Sequence, residues 1–152
     1  HGLPIACGLA VAKKRKKLSN YIYVINSDGE MAEGSNWEAI LFAAHHKLDN
    51  LILIIDYNKL QSFDSVENTL GIEPMKDKFL SFGWNVYEID GHNFKSIEQV
   101  LLICKSSKGK PKCIIANTLK GKGISFMENK VEWHYKNPNK IEFDQAVKEL
   151  IL

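Results

Sequence analysis

Two residues of this sequence are placed to do metal chemistry. Asp28 sits in Ser27-Asp28-Gly29, directly after an apolar run. Asn58 sits in Asp56-Tyr57-Asn58-Lys59-Leu60, directly after the next one. Magnesium takes hard oxygen ligands in an octahedron and commonly uses few protein ligands, with phosphate oxygens and water completing the set. The Asp28 carboxylate, the Asn58 amide oxygen and a backbone carbonyl such as that of Leu60 would make a suitable protein share. Gly29 would let a ligand approach the backbone closely. Each piece also has a plainer reading. An Asp-Gly pair after a strand is a common turn, and asparagine stabilises turns too. The two residues can share a metal only if the two runs are neighbouring parallel strands, whose ends emerge at one sheet edge.

The elements read from the sequence are compatible with that condition. Tyr21–Ile25 is rich in aromatic and β-branched residues and reads as a strand. Leu51–Ile55 is a continuous apolar run bounded by polar residues, as suits a strand buried on both faces of a parallel sheet. Trp84–Ile89 and Cys113–Ala116 read as two further strands. Between them lie helical patterns. Pro4 suits a first helical turn, with Ile5, Leu9 and Ala12 recurring at helical spacing. A second helix over about Ser35–Leu48 carries the stripe Trp37, Ile40, Leu41, Ala44 and Leu48. A short helix is expected over Met75–Phe82. Another, capped by Asn93, should bury Ile97, Val100, Leu101 and Cys104. A last one covers about Phe143–Leu150, and Gln61–Pro74 reads as an ordered surface loop. Strands alternating with helices specify an α/β domain, a mostly parallel sheet with helices on both faces.

Composition narrows the function classes. The chain has 152 residues, 45% of them apolar and 25% charged, which is ordinary globular make-up. Twenty basic against eighteen acidic residues give a net +2, too balanced for a nucleic-acid binder. The basic run Lys13–Lys17 falls where the first helix should end, where positive charge is favourable. A phosphate-binding patch is the other reading. No segment is long enough to span a membrane. Three cysteines, an odd number without C-x-x-C spacing, fit reduced thiols in a cytoplasmic protein. No G-x-G-x-x-G follows the first strand, which argues against a nucleotide-binding Rossmann module.

The segment Ser27-Asp28-Gly29-Glu30-Met31-Ala32-Glu33-Gly34-Ser35-Asn36-Trp37-Glu38-Ala39, closing with Asp56-Tyr57-Asn58, resembles the thiamine-diphosphate motif of transketolases. That motif opens with Gly-Asp-Gly and ends in Asn about one helix and one strand later. The resemblance runs from Gly2-Leu3-Pro4 through Asp90-Gly91-His92 and Lys120-Gly121-Lys122-Gly123 to Trp133-His134. It is nearest to the N-terminal component of two-chain transketolases. It implies a single diphosphate-binding domain, with a preceding segment that this chain, starting at His1, lacks. It also implies transfer of a two-carbon ketol unit from a ketose to an aldose with thiamine diphosphate and Mg²⁺. Asp28, Asn58 and the Leu60 carbonyl would hold the metal. Ser27, Gly29, Glu30 and His134 would join them around the cofactor. His134, Glu33 and Glu38 carry the implied catalytic roles. His134 would reach both diphosphate and substrate, and the two glutamates would link paired active sites at a subunit interface.

The resemblance further implies a partner chain with the pyrimidine-binding domain, in a hetero-oligomer acting on sugars or sugar phosphates. The chain alone should be inactive. A deoxyxylulose-phosphate synthase, or a non-catalytic fragment that keeps the fold, are the alternatives. Two positions depart from the family. Ser27 replaces the first motif glycine, with a hydroxyl able to donate to a phosphate. Tyr135 stands where glycine often follows the histidine. Glu38 has a competing local role, because Ser35-Asn36-Trp37-Glu38 has the S-x-x-E spacing of a capping box.

Overall fold

The computed structural model describes residues 1–151. Helix α1 (Gly2–Arg15) leads into strand β1 (Ile22–Ser27), a 3-10 turn (Gly29–Ala32) and helix α2 (Gly34–His45). Strand β2 (Leu51–Tyr57) is followed by the short helices α3 (Val66–Leu70) and α4 (Met75–Ser81), then strand β3 (Asn85–Asp90). Helix α5 (Phe94–Ser106), strand β4 (Lys112–Asn117), a second 3-10 turn (Val131–His134) and helix α6 (Lys140–Leu150) complete the chain. The four strands form one parallel sheet in the order β1-β2-β4-β3.

Alternation along the strands builds two cores. Leu51, Leu53, Ile55 and Tyr57 of β2, with Cys113 and Ile115 of β4, face α1, α2 and α4. Ile52 and Ile114 face the other way, onto Val100 and Cys104 of α5. Both central strands are therefore covered on both sides, which explains why they read as unbroken apolar runs. Trp84 closes the larger core. It is 1% exposed, stacks edge-on against Phe79, and donates its indole N–H to the Ile40 carbonyl. All three cysteines are free and buried. No helix among the described residues is long and apolar enough to cross a membrane.

Several sequence expectations need correcting. Helix α1 buries Leu3, Ala6, Cys7 and Ala10, whereas Ile5, Leu9 and Ala12 face outward. Both sets fit helical spacing. The side with small residues wins because it lets α1 pack close to α2, where the Cys7 thiol reaches the Ala39 carbonyl. In α2 the buried set is Asn36, Ala39, Ile40 and Ala43, with Leu41 exposed and Leu48 buried beyond the helix end. The Gln61–Pro74 segment contains α3, capped by Ser65, whose hydroxyl accepts from the Asn68 N–H. Helix α6 begins before Phe143, because Asn139 and Glu142 form a capping box.

Candidate functional site

The register of the sheet brings the two candidate metal ligands together. Ser27 lies beside Asp56, and Tyr57 beside Asn117. The next residues, Asp28, Asn58 and Thr118, therefore emerge at one edge, the usual ligand edge of a parallel sheet. A cavity of about 460 Å³ opens there. Ser27–Glu30 and Glu33 form one wall, Asn58, Leu60 and Gln61 another, and Lys120 and His134 complete it. A larger apolar cavity of about 520 Å³ adjoins it on the α5 side, lined by Ile54, Ile97 and Ile114, and shares Asp56, Asn58 and Lys120.

Asp28 is 1% exposed. One carboxylate oxygen accepts from the Gly29 N–H at 2.7 Å, the other from the Lys59 N–H at 2.7 Å. It thus joins the two loops that should hold the metal. Burial raises its pKa above the usual carboxylate range, and Asp56 adds to this, while the two backbone donors and the charge of Lys120 oppose it. Asn58 Oδ1 accepts from the Leu60 N–H at 3.0 Å, an Asx turn that holds Leu60 beside it. The turn reading and the ligand reading of Asn58 are therefore compatible, since a carbonyl oxygen has a second lone pair. A Cβ at Gly29 would project toward the Gln61 side chain at 3.6 Å. Gln61 Nε2 is itself buried without a partner.

The turn that carries Asp28 is clasped at both ends. Ser27 Oγ accepts from the Glu30 N–H at 3.1 Å, and a Glu30 carboxylate oxygen accepts from the Ser27 N–H at 3.0 Å. This is the reciprocal S-x-x-E pattern expected at Ser35 and Glu38, formed eight residues earlier. At Ser35–Glu38 it is absent. The Glu33 carbonyl already accepts from the Asn36 N–H, so Glu33 is the N-cap and Ser35 lies inside the helix, its hydroxyl buried and unpartnered.

Lys120 is delivered by a pinned loop. Thr118 Oγ1 donates to the Asp56 carboxylate, and His92 Nε2 accepts from the Leu119 N–H at 2.7 Å. Gly91 must be glycine here, because a Cβ would come within 2.5 Å of the Thr118 methyl. Gly121 is equally constrained, with φ +73 and the Met127 carbonyl 2.7 Å from a built Cβ. The Lys120–Gly123 stretch is thus held in place rather than loose.

His134 closes the far wall of the cavity from the second 3-10 turn. Tyr135 stacks edge-on against it, ring centroids 4.6 Å apart. Its φ of −122 is open to any residue, which explains why a tyrosine is accommodated there. Trp133 packs instead, donating its N–H to the Phe126 carbonyl.

A family model described as the thiamine diphosphate binding domain of transketolase matches residues 9–150. The chain belongs to the transketolase family. It is 47% identical over 150 residues to an apulose-4-phosphate transketolase subunit of Actinobacillus succinogenes, covering 99% of this chain and 54% of that protein. It is 42% identical over 149 residues to a 6-deoxy-6-sulfo-D-fructose transketolase subunit of a Clostridium species, covering 98% and 54%. A crystal structure of transketolase from Campylobacter jejuni superposes with a TM-score of 0.92 at 32% identity, over 97% of this chain and 24% of that one. The chain thus spans about half the length of the two curated transketolase subunits it matches.

Within this transketolase domain, the edge cavity gathers Ser27, Asp28, Gly29, Glu30, Glu33, Asn58, Leu60 and His134 from the sequence candidates. Glu38 is not among its lining residues and is exposed on α2. Four lining residues had no assigned role in the sequence reading of the site, namely Asp56, Gln61, Ser62 and Lys120. Asp56 and Lys120 lie inside segments that carry the family resemblance, and Gln61 directly follows Leu60, but membership in or adjacency to a motif was their only signal.

The family's cofactor and a divalent metal fit these residues. The described residues hold no cluster of three His, Cys, Asp or Glu side chains able to bind a metal alone. They do hold a buried carboxylate bonded by backbone N–H groups, in a cavity with three more carboxylates and a single lysine. Such a site disfavours a bare diphosphate and favours one that arrives with a divalent cation, whose remaining ligands come from phosphate and water.

Proposed function

We propose that this chain is the diphosphate- and Mg²⁺-binding part of a two-chain transketolase. It moves a two-carbon ketol unit from a ketose to an aldose. The observation that carries the reading is the buried Asp28 carboxylate, which bridges to the Asn58–Leu60 loop at the ligand edge of the sheet. Asp28, Asn58 and the Leu60 carbonyl supply the metal ligands. Ser27 has its oxygen engaged by the Glu30 N–H, so its hydroxyl proton is free to donate to a phosphate oxygen. Gly29, Glu30 and His134 complete the cofactor wall, and Lys120 offsets diphosphate charge. Bound thiamine diphosphate supplies the carbon nucleophile that makes ketol transfer feasible. The domain binds and orients it, and His134 lies where it can also meet a substrate hydroxyl.

The two curated relatives described above are named for a phosphorylated and a sulfonated sugar. We therefore read the ketose as one with an anionic tail. The relatives are named as subunits, which supports a partner chain carrying the pyrimidine-binding domain, in a hetero-oligomer. Glu33 and Glu38 would act at its interface, a role supported by the exposure of both side chains. Three buried free thiols suit a reducing, cytoplasmic compartment.

The test is calorimetry on the full polypeptide assembled with its partner. Thiamine diphosphate should bind with Mg²⁺ and weakly without it, and ketol transfer should follow in a two-sugar assay. Asp28→Ala should weaken binding by at least the roughly 10–100-fold that loss of an outer-shell partner costs a metal site. Metal-independent binding, or none, would sink the proposal. Binding without transfer would point to the non-catalytic alternative.

A further inference from the structure

We infer that Ser27 and Glu30 are positioning residues that set the metal-binding turn in its working shape before any ligand arrives. The inference rests on the proposed cofactor site and adds to it a device built from two side chains of this turn. Transketolase motifs open with glycine where this chain has Ser27. Among the described residues Ser27 has no positive φ, so nothing in its backbone calls for glycine. The side chain is used instead. Its oxygen takes the Glu30 N–H while the Glu30 carboxylate takes the Ser27 N–H, at 3.1 and 3.0 Å. Asp28 and Gly29 are the two residues enclosed between these bonds.

The turn would otherwise have much to lose. A turn of a few residues leaves backbone donors free, and a chain that must be ordered on binding loses affinity to that ordering. Asp28 is buried, and among the described residues it is backbone N–H groups that hydrogen-bond its carboxylate and keep it facing the Asn58 loop. The Ser27–Glu30 pair ties down the start of that turn, and the Met31 N–H bond to the Asp28 carbonyl ties down its far side. Glu30 therefore acts through the turn. Its charge is incidental, and a neutral acceptor of the same shape should serve.

That distinction gives the test. Thiamine diphosphate affinity in saturating Mg²⁺ is measured by calorimetry on the assembled full-length enzyme, with melting curves of each variant. Ser27→Ala and Glu30→Ala should each weaken binding about fivefold, the usual effect of losing a cap. The double variant should be little worse than either single one, because the two bonds form one reciprocal unit. Glu30→Gln should bind like the parent, since its amide oxygen still accepts from the Ser27 N–H. Parent-like affinity in Glu30→Ala would overturn the inference. So would a Glu30→Gln variant as weak as Glu30→Ala, which would mean that the charge touches the ligand directly. Should Glu30→Ala not fold, Glu30→Met, which keeps the bulk but removes the acceptor for the Ser27 N–H, decides by the same criterion, because Ser27→Ala would also remove the proposed phosphate donor. If the parent enzyme shows no Mg²⁺-dependent binding, the failure lies in the functional reading instead.

Discussion

Lys120 acts on the site in two opposed ways. Its charge helps to keep the buried Asp28 ionised, against burial that favours the neutral form. The same charge repels a cation bound beside Asp28 and attracts a diphosphate. Lys120→Met should therefore tighten Mg²⁺ binding to the cofactor-free protein and weaken thiamine diphosphate binding. Separate titrations check the two signs, and a shift of both in one direction would refute the placement. At Tyr135, 70% exposed and at an ordinary φ, glycine should leave the melting temperature nearly unchanged. It should raise the KM for the ketose by freeing the His134 ring, which steady-state kinetics would show. At this scale the sequence was legible where residues follow strands, as Asp28 and Asn58 do. Lys120 and Gln61 were not, because what unites them with Asp28 is strand register and loop anchoring, which spacing does not encode.

Helix ends give a sharper comparison. Of the S/N-x-x-E patterns at Ser35–Glu38 and Asn139–Glu142, only the second caps an α-helix. Asn139→Ala should cost about 1 kcal/mol, while Ser35→Ala should be near neutral, because its hydroxyl is already buried without a partner. Urea melts of the two variants measure the difference. Trp84→Ala should cost about 3–5 kcal/mol, since it leaves a large void in the larger core and removes the indole bond to the Ile40 carbonyl. All four strands lay within two residues of their expected bounds, because β-branched and aromatic runs have few other uses. The buried faces of α1 and α2 were harder to read. Apolar residues surround both helices, and close approach of small side chains, not hydrophobicity, chose the inward side.

That choice leaves Ile5 and Leu9 of α1, and Leu41 and Phe42 of α2, exposed on helices that pack side by side. Exposed apolar residues of this kind are where the proposed two-chain assembly would be expected to make contact. Replacing Leu9 and Phe42 with serine should weaken association with the partner in sedimentation while sparing the fold. At the opposite end from the site, Asp49 ties three segments together. It pairs with Lys14 of α1 at 2.8 Å and accepts from the Gly109 N–H at 3.0 Å. Burial pushes its pKa up, but those bonds outweigh it and hold the carboxyl below the ordinary range. Its contribution is present above the unfolded value near 4 and is lost as pH falls through the folded one. Asp49→Asn should lower the melting temperature at pH 7 and flatten its decline in acid. The far wall of the site cavity has an optical side as well. Of three tryptophans, Trp84 is sealed in the core and Trp37 is half-buried beside Phe79, while Trp133 adjoins His134 beneath the Lys136 ammonium, 4.1 Å from its ring. A ligand that engages His134 should change the emission of that one indole over a constant background, so the domain carries its own fluorescent reporter of occupancy.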